Sequence, residues 1–523
     1  MKNIITTAVL ATFMLGANAQ SVYDAANLTD KDLNGTARFV GMGGAMGALG
    51  GDISTIGTNP AGIGIYRSND VMTSFSFSSY GMESKYAGNT LNNDKNHWSY
   101  DNVGFVFSTK IGNRTPLRYV NFGFNYKKTK SFYKNMSMGG LIGGYEGRYL
   151  SQTNFMAQQA YDANVDLGAR NVFDNPDAGW LAALGWNGRL MNQENSGVYK
   201  PIVSDYVESN YLSKERGGVH QYDFNVAFNV NDRVYLGLTI GAYDVNYDKY
   251  SEYDENFGTG AGYLLKSWNK INGSGFDVKL GAIVRPFESS PFRIGAAVHT
   301  PTFYNLTYTT SARLESDVFL DHDNYTTPID VDTYDEVGDM KSEFRLRTPW
   351  TYNLSLGYTV GSSLAIGAEY EYEDYSTMKF NYPEGYEMEY ETNEAKLCMK
   401  GIHTVRVGAE YKVIPQFAFR LGYNYASTAF KEDAIKAIPT NSIMTDTGFS
   451  NPKSRSNYTV GIGYRGNLFY ADLAYQFSTY KEDFYAFYNE FELSPKEWTL
   501  VTPEATKVTN TRSQVLFTVG MRF

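Results

Sequence analysis

One cysteine, Cys398, stands in 523 residues. With a single thiol there is no intramolecular disulfide framework, and a zinc site built on thiolates is not expected. No apolar run beyond the first twenty residues approaches the roughly 18 that a membrane helix needs, so any membrane span has to be made of strands. Positive charge is short as well: 46 Lys+Arg face 56 Asp+Glu, for a net charge of −10, which argues against nucleic acid as a partner. The five histidines, His97, His220, His299, His322 and His403, are scattered without H-E-x-x-H or paired ligand spacing. His322 lies between Asp321 and Asp323 in what reads as a solvated acidic loop rather than a metal site. No phosphate-binding Gly-Lys-Ser/Thr loop occurs, and nothing nominates a serine with a neighbouring histidine as a nucleophile. No catalytic residue, metal or cofactor is therefore expected, and the chain is not read as an enzyme.

What the chain does have is aromatic residues and a repeated two-sided pattern. Its 43 Tyr and 32 Phe help bring aromatics to 15% of residues, although mean hydropathy is only −0.38. Such polarity does not suit a helical membrane protein, but a barrel has a wet lumen, wet loops and aromatic girdles at both membrane interfaces. In the last nine residues Val515, Phe517, Val519, Met521 and Phe523 share one face, with smaller or more polar residues mostly on the other. The period of two recurs in Tyr222 to Val230 and Val234 to Ile240 around Asn231-Asp232, and in Tyr352 to Val360 and Leu364 to Tyr372. It recurs again in Val405 to Val413 with Phe417 to Tyr425, and in Tyr458 to Tyr464 with Phe469 to Phe477. With Val71 to Phe77, Val103 to Phe107, Val120 to Tyr126, Phe276 to Val284 and Phe292 to Val298, the count is about fourteen. The fold class expected is all-β: a transmembrane antiparallel barrel of about 14 strands.

Connections alternate in length, as short periplasmic turns and long external loops do. Turns fall near 113, 231, 288, 362, 415 and 466. Between them lie polar stretches at 81–99, 131–219, 249–272, 309–340, 381–399, 427–456 and 481–510. The stretch 131–219 is too long to lack structure. It offers helical pieces at Phe155 to Tyr161 and after Asn175-Pro176-Asp177, where Trp180, Leu181 and Leu184 follow. Phe155, Met156, Trp180, Leu181 and Leu184 either pack this loop onto itself or form an external apolar groove for a greasy ligand. Inward charges such as Lys279, Arg285, Arg293, Arg406, Glu410 and Arg420 are expected in lumen salt bridges, with one or two arginines as alternatives for holding a carboxylate.

Residues 1–19 read as a secretory signal peptide: Lys2, an apolar stretch from Ile4 to Leu15, and Ala17-Asn18-Ala19 before Gln20. Residues 20–69 do not alternate, and the barrel is expected over 70–523. Small residues at 43, 47 and 51 let a short segment lie close to other backbone, as a plug in a narrow lumen must.

The run Gly35-Thr36-Ala37-Arg38, Met42-Gly43-Gly44-Ala45, Asp52-Ile53-Ser54 and Asn59-Pro60-Ala61-Gly62 resembles the N-terminal hatch of the FadL/TodX family of outer-membrane transporters. Leu346-Arg347-Thr348-Pro349-Trp350 through Gly357 to Asp374-Tyr375-Ser376, and Gly401-Ile402-His403 through Gly408 to Arg420-Leu421-Gly422, are similar to it too. Gly281 to Pro286 with Arg293-Ile294-Gly295 and His299-Thr300-Pro301 resembles Bacteroidetes members, some of them labelled hemin receptors. The resemblance implies a barrel plugged by an N-terminal hatch, in which Asn59, Pro60, Ala61 and Gly62 serve gating. It also implies passive uptake of a hydrophobic small molecule (fatty acid, hemin or aromatic compound), released sideways into outer-membrane lipid at a strand kink. The third strand, with Gly123, is the positional candidate for that kink. The terminal Phe523 resembles the C-terminal signal of outer-membrane proteins, which makes the barrel assembly machinery a partner. Some related barrels instead act as secretion-system shuttles that hand over cargo proteins, the alternative to transport.

Overall fold

A computed structural model describes residues 21–523 apart from 196–197, 259, 320–325 and 495–496. The signal segment and the Asp321-His322-Asp323 loop lie outside the described residues. Fourteen strands form a closed antiparallel ring. They are β1 (Asp70–Tyr86), β2 (Asn89–Lys110), β3 (Leu117–Ser131), β4 (Glu208–Val230), β5 (Val234–Asn256), β6 (Gly262–Val284) and β7 (Arg293–His299). There follow β8 (Thr351–Val360), β9 (Leu364–Asp374), β10 (Gly401–Ile414), β11 (Phe417–Ala426), β12 (Phe449–Arg465), β13 (Phe469–Tyr485) and β14 (Thr506–Arg522). The ring closes where β1 pairs with β14, Asp70 opposite Arg522. Phe523 falls just past the last assigned strand residue but still exchanges backbone hydrogen bonds with Asn69, at 3.0 and 3.2 Å.

The faces follow the alternation. Val515, Phe517 and Val519 are exposed on the outside, while Leu516 and Thr518 between them are buried within. The expected turns are all in place at the end that carries both barrel termini. At the other end the polar stretches 81–99 and 249–272 are not loops: β1–β2 and the 23-residue strands β5 and β6 run straight through them. Beyond the lipid the outer face turns polar, as at Asp244, Asn246 and Asp248 of β5. An apolar–polar period therefore vanishes although the ladder continues.

Three neighbouring strands break and resume higher up. After β7 the chain passes Thr300-Pro301-Thr302 and continues as Phe303–Phe319 along β6. The strand Met340–Arg347 descends beside that extension, breaks at Thr348-Pro349-Trp350 and becomes β8. β9 continues through a short 3-10 turn into Lys379–Asn381. Each proline removes a ladder donor. The two breaks lie side by side, with Thr302 N donating to Thr348 Oγ1 at 2.8 Å and Thr348 N to Thr302 O at 3.1 Å.

The long strands enclose a cap at the end away from both barrel termini. The stretch 131–219 holds two helices of eight or more residues, Gln152–Ala163 (α1), wider than the expected piece and centred on it, and Trp180–Asn187 (α2), which starts after the Asn175-Pro176-Asp177 turn with Gly179 as its N-cap. Helix Glu389–Cys398 (α3) comes from the loop before β10.

Candidate functional site: the hatch, the chamber and a seam in the wall

Residues 21–66 lie inside the ring as short turns of helix, almost wholly buried. What lets them lie there is glycine on the wall. In successive strands Gly357 is opposite Gly367, Gly367 opposite Gly408, and Gly408 opposite Gly422. On the other side of the lumen Gly237 is opposite Gly281. A Cβ at Gly367, Gly408 or Gly422 would overlap the hatch backbone at Ala45, Met42 and Gly43. One at Gly281 would strike Asn59, and one at Gly237 would strike Pro60 and Ala61. Glycines facing inward at one level of many strands were the sequence signal for this belt, and only an inner-face register exposes it.

Asn59 is fully buried. Its Oδ1 accepts from Ala61 N at 3.1 Å, and its Nδ2 donates to Ala282 O of β6 at 3.2 Å. Pro60 opens the 3-10 turn Pro60–Ile65, where its missing N–H costs nothing, and Gly62 packs against Thr55. The four residues therefore form one clamp between hatch and wall.

The inward charges mostly form the expected lattice. Glu410 joins Arg38 of the hatch (2.8 Å) to Arg420 (2.7 Å), which also reaches Asp472 (2.6 Å). Arg406 holds Glu369 and Glu371, and Lys279 holds Asp223 (2.8 Å) and Asp277 (3.1 Å). Arg285 and Arg293 differ from expectation: they bind backbone carbonyls rather than carboxylates, Arg285 that of Asp232 in the β4–β5 turn and Arg293 that of Leu49, where the hatch presents its backbone.

Between hatch and cap lies a chamber of about 290 Å³. Its upper wall sets aromatic and thioether side chains (Met136, Tyr211, Tyr247, Met444, Phe484) among the ion pairs Lys134–Glu215 and Lys249–Asp446, and its floor is ionic. On that floor His299 Nε2 is 2.9 Å from Thr58 O. A carbonyl only accepts, so Nε2 carries the proton and Nδ1 is the acceptor. Beside it, Lys127 Nζ lies against Gly57, where a Cβ would sit 3.1 Å away. Among the described residues Lys127 is the one cation lining the chamber with neither an ion pair nor a hydrogen bond. Sequence patterning did not single out Lys127, since one lysine in a polar strand end carries no signal.

A second cavity, of about 70 Å³, shares Lys130, Lys134, Met82 and Arg455 with the chamber and extends to Phe132, Tyr133 and Asn93. It backs onto a gap in the wall. The β2–β3 ladder ends at Asn102 opposite Lys127, whereas β1–β2 continues up to Tyr86 opposite Asn89. β3 and its continuation Lys134–Leu141 stay paired only with β4. From there upward the two edges meet through side chains. Lys128 Nζ donates to Ser99 Oγ (2.8 Å), His97 stacks on Tyr133 with centroids 3.8 Å apart, Asn93 Nδ2 donates to Ser137 Oγ (2.7 Å), and Asn89 Nδ2 donates to Gly139 O (2.9 Å). The third strand is thus one of the places where the wall departs from a regular ladder, but Gly123 is not the cause. It faces Ile56 of the hatch, while the irregularity lies at the bulge between Lys128 and Lys130 and the break at Phe132 and Tyr133.

The groove candidates Phe155, Met156, Trp180, Leu181 and Leu184 border neither cavity. All are buried, four of them completely, and they make up the inside of the cap with Leu265, Leu314 and Val318 from the raised walls. The reason is packing: Gly185 lets α2 approach Met156 of α1, and Gln159 Oε1 accepts from Ala182 N at 2.9 Å. Of the other histidines, His220 and His403 face outward, each bonded to a tyrosine, Tyr126 (2.9 Å) and Tyr370 (2.7 Å).

Residues 200–473 match the family model described as BamG. No curated protein matches the sequence. Among solved structures the chain is similar to a Pseudomonas aeruginosa FadL homologue, with 13% identity, 94% of this chain and 99% of that one covered, and a TM-score of 0.52. It is also similar to the Ralstonia pickettii toluene transporter TbuX (14% identity, 94% and 99% covered, TM-score 0.48) and to the Pseudomonas putida toluene transporter TodX (11%, 94% and 98%, 0.45). The fold is that of the FadL homologue.

Proposed function

This chain belongs to the BamG family, and from that premise and the geometry above we propose that it is a passive outer-membrane conduit for amphipathic small molecules with an anionic head and an apolar tail. The observation that carries the reading is the unpartnered Lys127 at the floor of a chamber whose upper wall is aromatic. A carboxylate accepts from Lys127, and its tail lies among Tyr247, Met136 and Phe484. Fatty acids and aromatic acids have that chemistry. The route out runs through the small cavity to the side-chain seam between β2 and β3, and so sideways into lipid. Each buried CH₂ is worth about 0.8 kcal/mol, so passing from apolar wall to lipid avoids rehydrating the tail. Opening that seam breaks side-chain contacts and no backbone ladder, so it needs no energy source.

Cysteines introduced by Asn93→Cys and Ser137→Cys and joined by a short thiol crosslinker test the route. Ligand affinity is expected to persist while uptake by cells falls, and undiminished uptake through the crosslinked seam overturns lateral release. Lys127→Met is expected to weaken a carboxylate ligand about tenfold or more, the worth of one charge-assisted hydrogen bond, and to leave its methyl ester unaffected. Equal loss for both removes the headgroup role. Asn59→Ala tests the hatch clamp as a gate: lower uptake at unchanged affinity supports it, and wild-type uptake removes it.

A second reading rests on the cap. A solid apolar lid over an ion-locked lumen also suits a barrel that works by contact with other proteins, as a secretion-system shuttle does. In that case deletion blocks protein export or barrel assembly, and no ligand-dependent uptake is seen.

A further inference from the structure

We infer that the outer wall above β7 and β8 docks the phosphorylated headgroup of an outer-leaflet glycolipid, through Lys270, Lys341, Arg345 and Arg347. The register sets these side chains on one face. Lys270 of β6 is opposite Thr309, and Thr309 is opposite Lys341 on the next strand. On that strand Arg345 and Arg347 follow at intervals of two, while Phe344 and Leu346 between them are buried inward. Just below, at the breaks and strand ends, Phe276, Phe303 and Trp350 are exposed outward, 55%, 42% and 46% accessible. The four cations therefore stand at the first polar level above the lipid belt, at the end with the long loops.

The four also lack partners within the protein, whereas several other cations of the outer surface above the lipid belt sit in pairs: Arg216 with Asp248, Lys266 with Glu315, Arg313 with Asp330, and Lys453 and Lys507 with Asp483. Among the described residues none of Lys270, Lys341, Arg345 and Arg347 has an ion pair or a side-chain hydrogen bond, and the Nε of Arg347 is buried with no acceptor. The nearby acids do not neutralise the group. Glu343 lies between Lys341 and Arg345 but beyond ion-pair distance of either, Asp248 opposite Lys270 is held by Arg216, and Glu387 is held by Lys379. Arg347 is moreover directly opposite Lys379, and like charges facing each other across a ladder are destabilising. A dianionic phosphate relieves that repulsion and fills the guanidinium forks of Arg345 and Arg347 in the two-bond manner that phosphate favours. The acyl chains of the same molecule then lie over Phe276, Phe303 and Trp350. The partner is thus a lipid with phosphate at its head and several saturable apolar chains, placed in the outer leaflet.

The test is native mass spectrometry of the full-length detergent-solubilised barrel with bisphosphorylated lipid A, with the same lipid A after phosphatase treatment, and with phosphatidylglycerol. Wild type is expected to retain phosphorylated lipid A in preference to the other two. In the variant Lys341→Gln with Arg345→Gln, retention is expected to fall about fivefold or more, the worth of one lost charge-assisted bond. The variant Lys266→Gln with Arg313→Gln, higher in the same wall, is expected to retain wild-type binding. Equal retention by the first variant and wild type overturns the site, and so does equal retention of dephosphorylated lipid A. A preference for phosphatidylglycerol overturns the outer-leaflet assignment. Heat-modifiability on gels verifies the folded barrel, and Arg345→Gln alone carries the test if the double variant does not fold.

Discussion

The hatch and the cap both fill the same barrel, yet they differ in how they are held. The hatch buries its apolar side chains in several small clusters, such as Phe39, Met42, Met46 and Leu49 or Ile53, Ile56 and Ile63 with Met72 and Val106, and its position is set by backbone seated on glycine and by the Arg38–Glu410–Arg420–Asp472 chain. The cap has one continuous apolar core in which Trp180, Leu181, Leu184 and Met156 are wholly buried. Apolar burial stabilises both, but in the hatch charge pairs and glycine contacts also specify one position, whereas the single large core of the cap makes less geometric demand. A segment seated in one register is thus distinguished from one held by a broad apolar core.

The sharpest way to break this comparison is to fill the belt. Gly422→Leu places a side chain where Met42 and Gly43 pass, so the hatch cannot seat. Loss of protease protection over residues 21–66 and a large rise in planar-bilayer conductance are expected; wild-type values for both would show that the belt is not the seat. Next comes Arg420→Met, which leaves Glu410 and Asp472 buried with a partner removed. Its cost is about 3–5 kcal/mol, read as a lower denaturant midpoint for hatch release with cap protection unchanged. Trp180→Ala is expected to cost the cap up to about 3–5 kcal/mol, and limited proteolysis is expected to nick 150–190 while the barrel keeps its heat-modifiability. If instead the hatch loosens first, the two regions are not independent.

The smallest effect is that of pH on the cap. In α3 burial pushes Glu391 up to about 7 and Glu394 up to about 8, from an ordinary value of 4.5. The native cap therefore keeps protons that the opened chain releases. Stability is full below the ordinary glutamate value and falls as pH rises toward about 8, by at most about 1.4 kcal/mol per pH unit for each carboxyl. Hydrogen exchange over Glu389–Cys398, corrected for intrinsic rates, is expected to speed up across that window, and Glu394→Gln to flatten the trend. A rate independent of pH in the native protein excludes the linkage.

Period-two alternation alone determined the barrel, its strand count and its short-turn end, because lipid outside and packed lumen inside impose opposite chemistry on neighbouring residues at every membrane-crossing step. The helices of 131–219 were legible for a similar reason, from an apolar cluster behind an Asn-Pro-Asp turn. Once a strand leaves the lipid that contrast disappears, so the continuation of β1, β2, β5 and β6 through polar sequence was decided only by pairing in three dimensions. The same holds for the site. Asn59-Pro60-Ala61-Gly62 stood out as a motif, but that it clamps onto Gly237 and Gly281 depends on which wall residues face inward at one height. Lys127 and His299 meet on one floor from strands far apart in sequence, and the seam exists because β2 stops pairing with β3 at Asn102, a property of register. Tertiary structure also decided between the two readings of Phe155, Met156, Trp180, Leu181 and Leu184 in favour of packing over an open groove, since apolar composition states that a surface will be covered and only the fold supplies what covers it.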